Sequence, residues 1–289
     1  MSKSRILLSN DDGIRAAGLR ALIEVFEKDD QFDLWVVAPE TEQSAMSHAL
    51  SLHTPLRVKS YGEQRFSVSG TPSDAVYCAL HMLMPNPPDI VLSGINRGPN
   101  LGNDVIYSGT VAAAMEGSLF GHSAVAASLC LPENHGVHTE QELDYSHAAN
   151  ALLSICKSVL KSPLEKGVTL NVNVPYLGSE PPRGIKLCRL GYTNWASSVH
   201  KRVDPRGKAY YWIGGERNGA DHIPESDNRG IDSGFITLTP LHYDLTDYSA
   251  FDTVRGLECE GLEWEKDSLD DKGSMSPSRP RPHSSPKNS

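Results

Sequence analysis

Short apolar runs alternate with amphipathic stretches along most of the chain. Ile6-Leu7-Leu8-Ser9 is the first such run. Leu19, Leu22, Ile23 and Phe26 follow at i, i+3, i+4 and i+7, which is one face of a helix. Leu34-Trp35-Val36-Val37-Ala38 is apolar throughout and stops at Pro39, as expected of a strand buried on both faces of a parallel sheet. A turn-rich stretch over 39–47 leads into a looser segment of hairpin character over 52–68. Gly70-Thr71-Pro72-Ser73-Asp74 then reads as a helix start. Thr71 suits the N-cap, Pro72 the first helical position, and Asp74 stands at capping-box spacing. Ala75, Ala79, Met82 and Leu83 supply the buried face of that helix.

The alternation continues with a strand over 89–93 and a helix opened by Ser108-Gly109-Thr110. Its small-residue run over 111–115 can pack close to a sheet. A strand over 124–129, an amphipathic helix over 146–160 and a strand over 169–174 complete the series. This order predicts an α/β fold, a doubly wound three-layer α/β/α Rossmann-like sandwich. After about Gly191 the pattern changes. Residues 192–216 mix aromatics with Lys and Arg, Asp204-Pro205-Arg206-Gly207 is a turn, and 210–213 and 235–241 read as strands. The expected division is a catalytic core over 1–191, a β-rich excursion over 192–257 that carries subunit contacts and returns to the core, and a tail over 258–289. The tail holds Ser, Pro, Arg and Lys without an apolar face, which predicts disorder, with Arg279, Arg281 and Lys287 as solvating charges.

Composition narrows the function classes. Hydrophobic residues make up 39% of the 289, enough for a sizeable core, yet no apolar run reaches the roughly 20 residues that span a bilayer. The five cysteines are scattered without a Cys-x-x-Cys pair, which suits reduced thiols and a cytoplasmic protein. A net charge of -9 argues against broad nucleic-acid binding. It leaves small anionic substrates open, because a local metal outweighs the global field.

The chemistry sits at the ends of the predicted strands. Asn10-Asp11-Asp12-Gly13 places two adjacent carboxylates directly after the first strand, at the sheet edge where ligands bind in open α/β folds. Side-by-side anions repel, so such a pair calls for a cation or a shared proton, and Asp oxygens suit Mg²⁺ or Mn²⁺. The same residues also suit a helix cap beside a glycine turn. Other loops reach that edge. The second strand delivers 39–44, ending in Ser44, and the strand ending at Ser93 delivers Asn96 and Asn100. Ser108, Gly109 and Thr110 open a helix whose free N–H groups point the same way. Singly, Ser44 closes a loop, Asn96 fits a left-handed turn and Ser108 or Thr110 caps a helix. Together they offer an all-oxygen shell for one divalent ion with a phosphate beside it. His48 and His242 are candidate acid–base groups, yet a lone histidine is more often structural. The chain has no Gly-x-x-x-x-Gly-Lys-Ser/Thr loop, no Gly-x-Gly-x-x-Gly fingerprint and no Gly-x-Ser-x-Gly elbow. Where a phosphoaspartate receiver needs its acceptor Asp, this chain has Ser93-Gly94-Ile95-Asn96.

These motifs, with Gln43-Ser44, Gly70-Thr71-Pro72, Tyr107-Ser108-Gly109-Thr110-Val111, Tyr210-Tyr211-Trp212-Ile213-Gly214 and Thr239-Pro240-Leu241, resemble the SurE (survival protein E) nucleotidase family over roughly residues 5–255. The resemblance implies one divalent metal ion per subunit, Mg²⁺ or Mn²⁺, held by Asp11, Asp12, Ser44 and Asn96. It places Asn100, Ser108, Gly109 and Thr110 beside the phosphate and gives Asp11 and Asp12 the catalytic roles. The implied activity is hydrolysis of nucleoside 5′- and 3′-monophosphates, with short polyphosphate as a further substrate, in a homodimer or homotetramer. Ala75 stands where the family often has Cys. The competing function is a nucleotide- or polyphosphate-binding sensor or scaffold with little turnover.

Overall fold

The computed structural model describes residues 3–132, 143–192, 198–214 and 221–257. The expected three-layer α/β/α sandwich is the observed architecture. Its strands are, in chain order, β1 (Ser4–Ser9), β2 (Phe32–Pro39), β3 (Val58–Gly62), β4 (Arg65–Val68), β5 (Ile90–Arg97), β6 (Ser123–Cys130), β7 (Val168–Pro175) and β8 (Ile185–Leu187). A separate antiparallel hairpin of β9 (Ser198–Val203) and β10 (Ala209–Gly214) precedes β11 (Ile236–His242). The main sheet runs β3-β4-β2-β1-β5-β6-β7-β11-β8. It is parallel except where β3 meets β4 and β11 meets β7. The tail beyond Leu257 lies outside the described residues. The described residues fall into two units, divided between Tyr243 and Asp244. In the second, Asp247 accepts from Ser249 N at the head of a 3-10 turn, Tyr248–Ala250, and α6 (Phe251–Arg255) follows.

Alternation along each strand decides the layers. Ile6, Leu8, Ile90 and Leu92 face α1 (Ala17–Phe26) and α4 (Ser146–Lys161), packing with Leu19, Leu22, Phe26 and Leu152. Leu7, Trp35, Val37 and Val91 face the other way, toward α2 (Pro72–Cys78) and α3 (Gly109–Leu119), with Ala75, Val76 and Ala113. Ala75 is fully buried, as its place on the predicted helix face implies. The capping box of α2 is present: Thr71 Oγ1 accepts from Asp74 N and Asp74 Oδ2 accepts from Thr71 N. α1 covers the predicted face from Leu19 to Phe26. Ala16 is its N-cap and no side chain caps it, so Asp11 and Asp12 are not spent on that helix.

Strand order reverses at β1. The chain first builds outward through β2 and β4, then returns to lay β5 on the opposite side of β1. Loops leaving β1 and β5 therefore diverge and open a crevice at their carboxyl ends. β5 runs four residues past the expected end at Ser93, with its register against β6 shifting between Ser93 and Asn96. This irregularity brings Asn96 to the crevice while it is still on the strand.

The loop after β5 is held from below by polar groups. Asn173 Oδ1 accepts from Asn100 N, and Asn171 and Asn173 both donate their side-chain amides to the Asn100 carbonyl. Both asparagines are fully buried on β7. Two positions on, Asp227 at the start of α5 (Asp227–Asp232) accepts from Gly102 N at 2.9 Å and from Gly191 N at 2.8 Å. Burial raises the Asp227 carboxyl above its ordinary range, against the pull of these N–H groups. A raised folded-state value means the native protein holds this proton more tightly than the unfolded chain. The associated stability is present in acid and is lost as pH rises through the raised value. Melting temperature measured against pH should show that decline, and Asp227→Asn should lack it. The variant should also lose about 1–3 kcal/mol, since a carboxamide cannot accept both N–H groups through equivalent oxygens. Parallel profiles for the two proteins would contradict the assigned charge.

Candidate active site

Asp11 leaves β1 into the crevice and is only 5% exposed. Its carboxylate is boxed in by the head of α3. Thr110 Oγ1 donates to Asp11 Oδ1 at 2.5 Å. A Cβ added at Gly109 would lie 2.9 Å from Asp11 Cβ and 3.0 Å from Oδ2, so only glycine lets the helix come this close. The Asp11 carbonyl accepts from Gln43 N at 2.7 Å, which ties the loop after β2 to the same point. Gly13, at φ +100°, turns the chain away under the Thr41 backbone, and Asn10 closes the turn by bonding both N–H and carbonyl of Gly13. Burial pushes the Asp11 carboxyl up, offset in part by the Thr110 hydroxyl and backbone N–H, while the nearby Glu42 charge pushes it further up.

A cleft of about 490 Å³ opens beside this carboxylate. Asp11, Asp12, Ser44 and Asn96 all line it, and so do Asn100 and Ser108. Gly109 and Thr110 do not. They stand behind Asp11 and shape it. Asp12 Oδ2 accepts from Arg97 N at 3.3 Å. Ser108 is the N-cap of α3, its Oγ accepting from Val111 N, and it presents its remaining surface to the cleft. Asn100 Nδ2 donates to Ser128 Oγ at 2.7 Å, which fixes its carboxamide plane.

The donor set suits a hard cation. Asn96 spends its Nδ2 on the Gly98 carbonyl, which leaves Oδ1 as the uncommitted end. Ser44 spends its hydrogen on Glu42 Oε1 at 2.7 Å, leaving oxygen lone pairs. Two carboxylates, a carboxamide oxygen and a hydroxyl oxygen are the ligand types Mg²⁺ and Mn²⁺ prefer. Among the described residues no group of three or more His, Cys, Asp and Glu side chains forms a metal cage by itself. Any ion in the cleft therefore depends on the neutral oxygens of Ser44 and Asn96 as well as on the two aspartates.

Four further lining residues that are charged or aromatic were not chosen as site residues from the sequence. Glu42 and Asp104 add negative charge, Arg97 brings a cation and Tyr107 an exposed ring at the rim. Each lies within four residues of a chosen site residue, so proximity was the only available signal. His48 is not in the cleft lining; its ring pairs with Glu116 at 2.6 Å. His242 packs on Tyr243, far along the sheet on β11. A second cleft, of about 550 Å³ between α1 and the start of α4, gathers none of the strand-end groups.

A family model described as Survival protein SurE matches residues 6–197. The chain is 48% identical to a 5′-nucleotidase SurE of Anaeromyxobacter dehalogenans over 264 residues, covering 90% of this chain and 98% of the relative. It is 43% identical to a 5′-nucleotidase SurE of Myxococcus xanthus over 260 residues, covering 89% and 95%. The crystal structure of the SurE protein from Aquifex aeolicus superposes with a TM-score of 0.74 at 36% identity, over 87% of this chain and 98% of that one. The motifs that gather at the cleft fall inside the matched segment, and the chain belongs to the SurE family.

Proposed function

We propose that this chain is a metal-dependent phosphomonoesterase that releases phosphate from nucleoside 5′-monophosphates, with 3′-monophosphates and short polyphosphate as further substrates. The observation that carries this reading is the convergence of Asp11, Asp12, Ser44 and Asn96 on one cleft. The names of the relatives support it. Asp11 is the strongest single argument. A carboxylate at 5% exposure, pushed toward its neutral form by burial, costs stability unless a cation balances it.

One divalent ion, Mg²⁺ or Mn²⁺, would be held by these four residues. It would supply Lewis-acid polarisation of a phosphate oxygen and lower the pKa of water. The chain's own residues do the rest. Thr110 and Gly109 hold Asp11 in place, and Asn100 with Ser108 at the amino end of α3 receives phosphate oxygens. Asp11 and Asp12 orient the attacking group. Arg97 and Tyr107 at the rim face the nucleoside portion.

The oligomer and location complete the proposal. The β9–β10 hairpin exposes Val199, Val203, Tyr211 and Trp212, and Ile213 is 92% exposed. An isolated two-stranded hairpin is marginal in water, so a second copy covering it, in a homodimer or homotetramer, supplies the missing apolar contact. No helix among the described residues is long and apolar enough to cross a membrane. Cys78, Cys156 and Cys188 are free thiols, as a cytoplasmic location would have them.

Phosphate release from a panel of nucleoside monophosphates should require Mg²⁺ or Mn²⁺ and stop in EDTA. Nucleotide binding without release would replace the enzyme by the sensor reading. Asp11→Asn should lower kcat by about a hundredfold or more while leaving the melting temperature in EDTA unchanged or higher, because a buried charge is removed. Undiminished turnover would refute the site. Gly109→Ala should cost about tenfold to a hundredfold in kcat with an unchanged circular dichroism spectrum, since its methyl group displaces Asp11.

A further inference from the structure

The segment that carries Ser44 is not held by its own backbone. Ala45 and Ser47 both have left-handed backbone, at φ 56° and 52°, which is unfavourable for residues other than glycine. Contacts from outside must select this conformation. Gln43 N donates to the Asp11 carbonyl on one side. On the other, Ser47 N and Oγ donate to the carbonyls of Tyr107 and Ile106, at 3.1 and 2.7 Å. His48 follows at once, with Nε2 2.6 Å from Glu116 Oε2.

Glu116 is an odd residue for its place. It lies in α3, a helix packed on small residues against the sheet, and its side chain is only 4% exposed. Packing α3 does not require a carboxylate there; an apolar residue of similar volume would cost less to bury. The carboxylate is instead directed at His48, 68 positions away in sequence. His48 is about one-third exposed and donates from Nε2. The helix involved is the one whose first turn bears Ser108, Gly109 and Thr110.

We propose that His48 and Glu116 are positioning residues: their hydrogen bond clamps the 44–48 segment to α3 and so sets where the Ser44 oxygen stands in the cleft. Neither residue touches the cleft itself. The clamp is a statement about the fold, and its effect on a metal rests on the hydrolase reading above. One helix thereby fixes two of the groups around the cleft. Its first turn holds Asp11 through Thr110, and its second holds the Ser44 segment through Glu116. Losing the bond frees the segment to leave its left-handed conformation without unfolding the sheet.

The test compares the full-length protein with His48→Ala and His48→Gln, whose side-chain amide can still donate to Glu116. Three quantities are read: hydrogen exchange at the Gln43 and Ser47 amides, the Mn²⁺ dissociation constant by calorimetry, and kcat and KM with a nucleoside 5′-monophosphate. His48→Ala should speed exchange at those two amides by about tenfold, as expected for losing a hydrogen bond to a charged group, while amides of β1 and β5 keep their protection. The Mn²⁺ dissociation constant should rise by about the same factor, and His48→Gln should restore most of both. If His48→Ala fails to fold, Glu116→Gln keeps the volume and an acceptor oxygen and should show the same changes, smaller in size. Unchanged exchange in the 43–47 segment overturns the clamp. So does faster exchange spread evenly over the sheet with an unaltered Mn²⁺ constant, which would make the pair a stabilising contact only. If the parent protein neither binds Mn²⁺ nor releases phosphate, the hydrolase reading fails, and the exchange measurement alone decides the clamp.

Discussion

The Asp11 carboxylate, sealed between the end of β1 and the first turn of α3, is the constraint around which this molecule is built. A buried anion demands compensation from whatever surrounds it. Here the compensation is partly local, through the Thr110 hydroxyl and backbone N–H at a helix amino end. It is incomplete, because burial still raises the carboxyl and Glu42 adds a like charge nearby. On the proposed reading a divalent cation supplies the remainder. The same requirement explains Gly109, whose missing side chain is what allows α3 to approach. It also explains why the loop after β2 is tied to the Asp11 carbonyl rather than left to solvent.

A second layer of polar groups supports this one. Asn171 and Asn173 on β7 grip the backbone of Asn100, Ser128 on β6 takes its side chain, and Asp227 takes Gly102. Ser128, Asn171 and Asn173 are buried within the sheet, and Asp227 is buried at the start of α5. Burying so many amides and a carboxylate gains little stability over hydrocarbon side chains. What they do is remove the freedom of the loop over 98–104. A loop rich in glycine would otherwise sample many conformations, and a cleft that must present fixed oxygens tolerates little of that.

Much of the scaffold was legible in the residues because it depends on neighbours a few positions apart. Strand and helix periodicities, the Thr71–Asp74 capping box and the glycine turn at Gly13 are local devices, and each is present. The strand-end loops could likewise be assigned to one edge, because parallel strands joined by right-handed crossovers leave no other place for them. Where reading stopped short, the partner was remote. Thr110 and Asp11 are 99 positions apart, Gly102 and Asp227 are 125 apart, and nothing near His48 announces Glu116. Thr169, Asn171 and Asn173 did carry a signal, polar residues at alternate positions of an otherwise apolar strand. Such a pattern ordinarily means a solvent-facing edge; only the covering layer turns it into a buried network.

The sequence by itself determined the elements, their order and the residues able to bear the chemistry, since hydrophobic period, caps and turn residues act over a few bonds. The tertiary structure alone decided which of those residues share a cleft. It separated Thr110 and Gly109, which shape Asp11, from Asn100 and Ser108, which face the open space. The physical reason is the reversal of strand order at β1: it sets loops from distant parts of the chain against one another, and their packing settles which polar atoms are consumed internally and which remain free.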